Sequence, residues 1–238
     1  MKLPILFEDN HIIVVEKPPG IPSQGDDSGD VDMLTLLKQD IKERYSKPGN
    51  VFVGLVHRLD RPVGGAMLFA KTSKAASRLS DAVRTRKFGK TYMCIVHGTP
   101  QNNEDDLSHY IRKDSKKNQV TVFKQPVPEA KDAKLSYRIV SSAQGYSLAA
   151  IQLHTGRPHQ IRAQMAFIGH PLVGDVKYGS NDGKHNEFAS IALWSTSITV
   201  PHPISKEEIS FTSLPAVDKT PWSLFTKQQL EQAASWYN

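Results

Sequence analysis

Two short apolar runs open the chain, in ILFEDNHIIVVEKPPG, with Glu8, Asp9 and Asn10 between them. That pattern predicts two strands joined by a turn and closed by Pro18-Pro19-Gly20. The spacing then changes. In LTLLKQDIKERY, Leu34, Leu37, Ile41 and Tyr45 recur at three- and four-residue steps. This is the period of an amphipathic helix, with Asp32 placed to cap it and KPGN to stop it. VFVGLV and GGAMLFA predict core strands on either side of the charged stretch HRLDRPV. KAASRLSDAVRTRKFG predicts a second helix, apolar at Ala75, Leu79, Ala82 and Val83 and basic elsewhere. KTYMCIVHG predicts a strand ending in a Gly-Thr-Pro turn.

Residues 101–135 are polar and charged, with the basic segment IRKDSKKNQVTVFK at their centre, and predict no element. AKLSYRIVSSAQGYSLAAIQLHT predicts a hairpin turning at Ala143 to Gly145. GRPHQIRAQMAFIGHP starts as a loop and becomes helical from about His159, with Ile161, Met165 and Ile168 on one face. The tail predicts strands in FASIALWSTSITVPHP and EEISFTSLP, then a final amphipathic helix over TPWSLFTKQQLEQAASWY. No fixed-period repeat or low-complexity linker interrupts the series. Strands and helices alternate irregularly and include hairpins. The expected fold is α+β, a mixed and largely antiparallel β-sheet with flanking helices, in one domain over residues 1–238.

Hydrophobic residues are 39% and charged residues 23%, an ordinary globular composition. Lys plus Arg exceed Asp plus Glu by 30 − 24 = 6. This suits a nucleic-acid partner without requiring one. No apolar run approaches the ~20 residues that span a bilayer. MKLPILFEDNH carries acids and no signal-type apolar core, so the expectation is a cytoplasmic protein away from membranes. A monomer is expected, since no apolar seam stands out. The single cysteine, Cys94, excludes an intramolecular disulfide and a Cys-based zinc site. Its apolar surroundings predict a buried thiol.

Cofactor signatures are missing. No G-x-G-x-x-G follows a strand and no G-x-x-x-x-G-K-[ST] occurs. Gly179 to Lys184 has the wrong spacing, and GYSLA around Ser147 is one glycine short of a nucleophile elbow. His154 and His159 lie five apart with no carboxylate or cysteine nearby in sequence. Hydrogen-bonding histidines account for them better than a metal does, so neither metal nor cofactor is expected.

Two segments resist a purely structural reading. HRLDRPVGG could be a surface turn with a solvated ion pair, Asp60 with Arg58 or Arg61. Its apolar flanks argue otherwise, because they start and end the loop at the edge of the core. A carboxylate there, beside arginines, stays ionised and fixed, and can act as nucleophile or base. Pro62 stiffens the turn. Gly64 and Gly65 let the backbone pass close to something, a ligand being the candidate. In the second segment, Leu153 to Gly179, the residues Arg157, His159 and Arg162 cluster where a loop enters a helix. That suits phosphates or a partner carboxylate, or simply a basic helix entry facing solvent.

HRLDRPVGG resembles the H-R-L-D-x-x-[TV]-[SA]-G motif of the RluA-type pseudouridine synthases. ILFEDNHIIVVEKPPG resembles the family's opening strand pair and its K-P-x-G turn. GGAMLFAKT and KTYMCIVHG resemble its following strands. HTGRPHQIRAQMAFIGHPLVGDVKYG resembles its second signature, in the same order. The resemblance implies an isomerase that converts uridine to pseudouridine in structured RNA, ribosomal or transfer, without cofactor or metal. It implies Asp60 as the catalytic aspartate and leaves open whether Asp60 attacks C1′ or takes a ribose proton. By the same resemblance Tyr92 stacks on the target uracil, and Arg162 is the basic residue that pairs with the aspartate. Arg58 fills the gap left by a flipped base. His57, Arg157 and His159 complete the expected substrate-side set, with His57 more a shaper of the loop than a contact. The basic stretches Lys71 to Lys90 and Arg112 to Lys124 would meet phosphates. The catalytic pattern starts by Ile5, so the resemblance implies a stand-alone domain without the S4-type module of many relatives. Gly64 departs from the family's Ser or Ala, and Trp194 from its frequent His. Two other readings stand beside this one: an RNA binder on the same fold without catalysis, and an unrelated hydrolase using Asp60 and a histidine.

Overall fold

A computed structural model describes residues 2–179, 188 and 190–236. In chain order the elements are β1 (Ile5–Glu8), β2 (Ile12–Lys17), α1 (Met33–Arg44), β3 (Gly54–Leu55), β4 (Gly64–Ala70) and α2 (Ser73–Arg84). Next come β5 (Gly89–His97), β6 (Glu104–Asp114), β7 (Gln119–Phe123), β8 (Lys131–Ala143), β9 (Tyr146–Leu153) and α3 (Gln160–Phe167). The last are β10 (Leu193–Pro201), β11 (Glu208–Thr212), a short 3-10 turn at Trp222–Leu224 and α4 (Lys227–Ser235). Strands and helices make two compact units. One is Met1–Lys90 with Ser195–Ser213, the other Thr91–Trp194 with Leu214–Asn238. The architecture is the mixed, mostly antiparallel sheet with flanking helices that the pattern predicts.

In the first unit the strand order is β1-β2-β4-β10, with β3 on β4 and β11 on β10. β2 and β4 run antiparallel, Ile12 opposite Ala70 and Lys17 opposite Gly65. This register brings the end of β2 to the start of β4, beside the HRLDRPV loop. The core holds Ile12, Val14, Leu68, Ala75, Leu79, Phe88 and Ile198, all buried. α1 is capped by Asp32, which accepts from the amides of Leu34 and Thr35. Its buried face is Met33, Leu37 and Ile41; Leu37 and Ile41 are buried as predicted, while Met33 is buried in place of the half-buried Leu34 and Tyr45 is exposed. The strand expected in VFVGLV shrinks to Gly54–Leu55.

In the second unit the order is β5-β9-β8-β6-β7, each neighbouring pair antiparallel. Gln144 and Gly145, at φ +53° and +82°, make the predicted turn between β8 and β9. One sheet face packs Met93, Ile95, Leu148 and Ala150 against Trp222, Phe225 and Leu230. The stretch from residue 101 to 135, which predicts no element, forms β6, β7 and the start of β8. Its apolar positions are too sparse to announce strands. Leu107, His109 and Ile111 nevertheless alternate inward, and Ile111 packs with Val120, Ala133 and Ala163 of α3. The predicted C-terminal helix divides, because the Thr226 side chain and Gln229 form a capping box that starts α4 afresh.

Candidate active site

Along the loop between β3 and β4 burial alternates, up to a turn closed by the Val63 amide on the Asp60 carbonyl at 2.9 Å. His57 and Leu59 point inward and are buried; Arg58 is exposed and Asp60 half-buried. Each inward residue is tied down. The imidazole Nε2 of His57 accepts from the Leu68 amide at 3.0 Å, and its ring lies 5.0 Å from that of Phe88. Burial pushes the His57 pKa down to about 3, with Lys90 adding to the effect. The imidazole is therefore neutral and part of the core. The Ser23 hydroxyl donates to the Leu59 carbonyl at 2.7 Å and accepts from the Leu59 amide at 3.1 Å. With both inward residues anchored, the backbone that carries Arg58 and Asp60 is fixed.

A third anchor is Lys17, which sequence reasoning missed although it opens the K-P-x-G turn. Its side chain is completely buried. Its ammonium donates to the carbonyls of Pro18 at 3.0 Å, Arg61 at 3.0 Å and Val63 at 2.7 Å. All three N–H donors are thus matched to backbone acceptors at the end of the Asp60 loop. Burial lowers the Lys17 pKa to about 7, with Asp60 acting to raise it and Arg61 to lower it. A buried lysine is costly, and it is kept here where its charge faces the Asp60 carboxylate. The close approach foreseen at the two glycines is made, for Gly65, by protein rather than by a ligand. Gly65 has φ +115°, and a Cβ there would overlap the backbone of Ser195 in β10.

Tyr92 is buried on β5, opposite Ile151 of β9, which is opposite Tyr137 of β8. Opposed residues share a face, so Tyr92 lies on the same side as Leu135 and Ala133, the side on which Ala163 of α3 packs. Cys94 lies two residues on, buried as expected, its thiol pKa pushed up by burial.

The second signature is a set of interlocked turns. Gln160 accepts from the Arg157 amide at 2.9 Å and the Thr155 hydroxyl at 2.8 Å, and donates to the Lys134 carbonyl at 3.0 Å. His159 takes a left-handed φ of +49° to enter α3. Its Nδ1 sits 2.7 Å from the Tyr178 hydroxyl, whose oxygen already accepts from the Val120 amide at 2.9 Å. The phenol hydrogen is thus directed at Nδ1, which favours the Nε2–H tautomer. Arg162 is buried and binds Asp175 through two bonds, Nε at 2.8 Å and Nη2 at 2.7 Å, with its guanidinium 5.2 Å over the Tyr178 ring. Asp175 also accepts from the amides of Lys177 and Tyr178. The structure therefore brings His159 and Arg162 together around Tyr178. Arg157 turns to Asp132, at 2.9 Å from its carboxylate and 2.7 Å from its carbonyl. Asp175, Tyr178 and Gln160 were not foreseen as site residues. Only their place inside the G-D-…-Y-G and H-Q-I-R motifs marked them.

Of the two basic stretches, α2 and the turn after it expose Lys74, Arg84, Arg86 and Lys87, and the β6–β7 hairpin with the residue after it exposes Arg112, Lys113, Lys116, Lys117 and Lys124. Lys71 is committed to Glu8, 2.6 Å away. Among the described residues no group of three or more His, Cys, Asp or Glu could hold a metal. Past Gly179, the weak glycine-lysine stretch lies outside the described residues.

The match to known proteins decides the family. Residues 11–167 fit the family model described as RNA pseudouridylate synthase. The chain belongs to this family. It is 33% identical over 213 residues to YjbO of Bacillus subtilis, an RNA pseudouridine synthase described as uncharacterized, covering 88% of this chain and 71% of that one. It is 33% identical over 216 residues to the ribosomal large subunit pseudouridine synthase D of Yersinia pestis, covering 85% and 64%. The solved structure of human RNA pseudouridylate synthase domain containing 1 shares the fold, with TM-score 0.76, 22% identity, and 98% and 94% of the two chains covered. The chain is thus an isomerase converting uridine to pseudouridine in RNA, as the sequence motifs implied.

Proposed function

We propose that this synthase modifies uridines in structured ribosomal RNA, with Asp60 as the aspartate that opens the N1–C1′ bond. The observation that carries the assignment is the triple anchoring of the Asp60 loop. His57, Leu59 and Lys17 are held from inside, which fixes the stretch of backbone that carries the half-buried Asp60. A group that must meet one ribose carbon needs such preorganisation. Once the bond opens, the uracil turns, C5 closes on C1′ and gives up its proton, and N1 takes a proton up. No atom is gained or lost, so no cofactor is called for.

Tyr92 is read as the ring against which the uracil lies, and Arg162 as the cation that keeps the reacting carboxylate ionised. The bidentate hold of Asp175 supports that role, because it fixes the guanidinium plane on α3. Arg58 is read as the residue that fills the stack when the uridine flips out. His159 and the exposed lysines of the β6–β7 hairpin are read as the phosphate side. His57 and Arg157 are assigned to scaffold, since one is buried and the other pairs with Asp132. The family match passes without a break from the first unit into the second, which supports treating residues 1–238 as one catalytic domain; a cytoplasmic monomer completes the proposal. The relatives named for the large ribosomal subunit favour ribosomal over transfer RNA.

Pseudouridine mapping of total RNA from cells with and without the gene tests the reading. Loss of one or a few large-subunit sites supports it. Loss confined to transfer RNA would move the substrate. If no site were lost, and the purified protein left unmodified ribosomal transcripts unchanged, the assignment would fail.

A further inference from the structure

A basic chain carries four aspartates within seven residues, Asp26, Asp27, Asp30 and Asp32, in the loop between β2 and α1. Asp32 is committed to capping α1. The others form an acidic segment, and it is fastened to the residue next to Asp60. The Arg61 guanidinium pairs through Nη2 with the Asp30 carboxylate and donates through Nη1 to the Ser28 hydroxyl at 3.2 Å. Its Nε donates to the Gly20 carbonyl at 3.0 Å, and the Gly20 amide returns a bond to the Arg61 carbonyl at 2.8 Å. Asp26 also feels the Arg61 charge and holds Ser28 through its amide and hydroxyl.

The backbone part of this arrangement is structural. The side-chain part is not built for stability. The Arg61 and Asp30 side chains are 45% and 53% exposed, and such pairs contribute little. A phosphodiester oxygen offers an arginine N–H the same charged acceptor as the single Asp30 oxygen that Nη2 meets. An acidic loop also repels RNA as long as it stays there.

We infer that Asp30 occupies, on Arg61, the place of a substrate phosphate, and that RNA binding displaces the acidic loop by exchanging a phosphodiester for the carboxylate. The inference rests on the RNA activity of the family and adds a phosphate site that none of the sequence motifs assigns.

The test uses the full chain and a fluorescently labelled, unmodified stem-loop RNA, with affinity read by anisotropy across a salt series. Asp30→Asn is expected to bind about two- to fivefold more tightly than the parent at low salt, the range of one exposed pair. The gain should vanish when Arg61→Gln is already present. Hydrogen exchange at the amides of Ser28 to Val31 in the unaltered protein should speed up when the RNA is added. Equal affinity of Asp30→Asn and parent, or a gain that persists in the Arg61→Gln background, would overturn the exchange while leaving the RNA activity standing. Slower exchange in the loop on RNA addition would also overturn it. A parent protein with no salt-dependent RNA affinity would overturn both.

Discussion

The Lys17 ammonium donates to the Val63 carbonyl at 2.7 Å across 46 positions of sequence, closing the loop that carries Asp60 from inside. An isosteric Lys17→Met removes the donors and leaves the carbonyls of Pro18, Arg61 and Val63 without this partner. Each unmet buried group costs about 1–3 kcal/mol, so the loop should loosen. Turnover is expected to fall about 10- to 100-fold with RNA affinity nearly unchanged. Parallel single-turnover and binding assays separate the two. An equal loss in both would assign Lys17 to RNA contact.

The same lysine sets a pH dependence. Its folded pKa of about 7 lies below the ordinary 10.5. Between these values the unfolded chain holds the extra proton, so the contribution of this group to stability rises with pH. The neutral amine, however, has two donors for three carbonyls. Turnover should therefore decline above about pH 7, and the decline should be missing in Lys17→Met. A basic limb that survives in that variant would place the titration elsewhere.

His57 predicts the opposite flank. Its folded pKa of about 3 lies below the ordinary 6.5. As pH falls through this window the unfolded chain takes up a proton that the folded one refuses, and stability drops. The loss at pH 5 is about 2 kcal/mol. Urea unfolding at pH 7 and pH 5 should show this slope in the parent and a smaller one in His57→Gln. Equal slopes would mean that other groups carry the acid sensitivity.

Arg162 and Asp175 form a buried pair, with side chains 6% and 0% exposed. Asp175→Leu removes both of these bonds from the buried guanidinium and should destabilise by about 3–5 kcal/mol. Arg162→Met combined with Asp175→Leu should recover much of that stability while staying inactive. If Asp175→Leu melts like the parent, the pair is not what holds α3 to the 170s turn.

Asp60→Asn keeps size and hydrogen-bonding capacity but removes the charge. Product formation should disappear, with melting temperature and RNA affinity close to the parent. Pseudouridine detected in RNA treated with this variant would take the chemistry away from Asp60.

Much of this protein is legible without coordinates, for physical reasons. Short continuous apolar runs such as IIVVEK and GGAMLFA, and the three- and four-step apolar spacing of α1 and α2, are local, and β2, β4, α1 and α2 form where they predict. The proposed roles of Asp60, Tyr92 and Arg162 come from the resemblance of the motifs that hold them, not from any local periodicity. β6 and β7 were not legible, since their few apolar residues gain meaning only when paired with β8. At the ends of α1 the stripe differs, with Met33 buried in place of Leu34 and Tyr45 exposed, because burial is decided by the surface the helix meets. Above all, the local pattern does not say what holds a residue. That Lys17 reaches Val63, that His57 takes the Leu68 amide, that Arg162 is held by Asp175 and Arg61 by Asp30 are relations between positions far apart in sequence. Polar side chains choose among several acceptors of equal chemistry, and the register of β2 on β4 and the turn into α3 determine which acceptor is near.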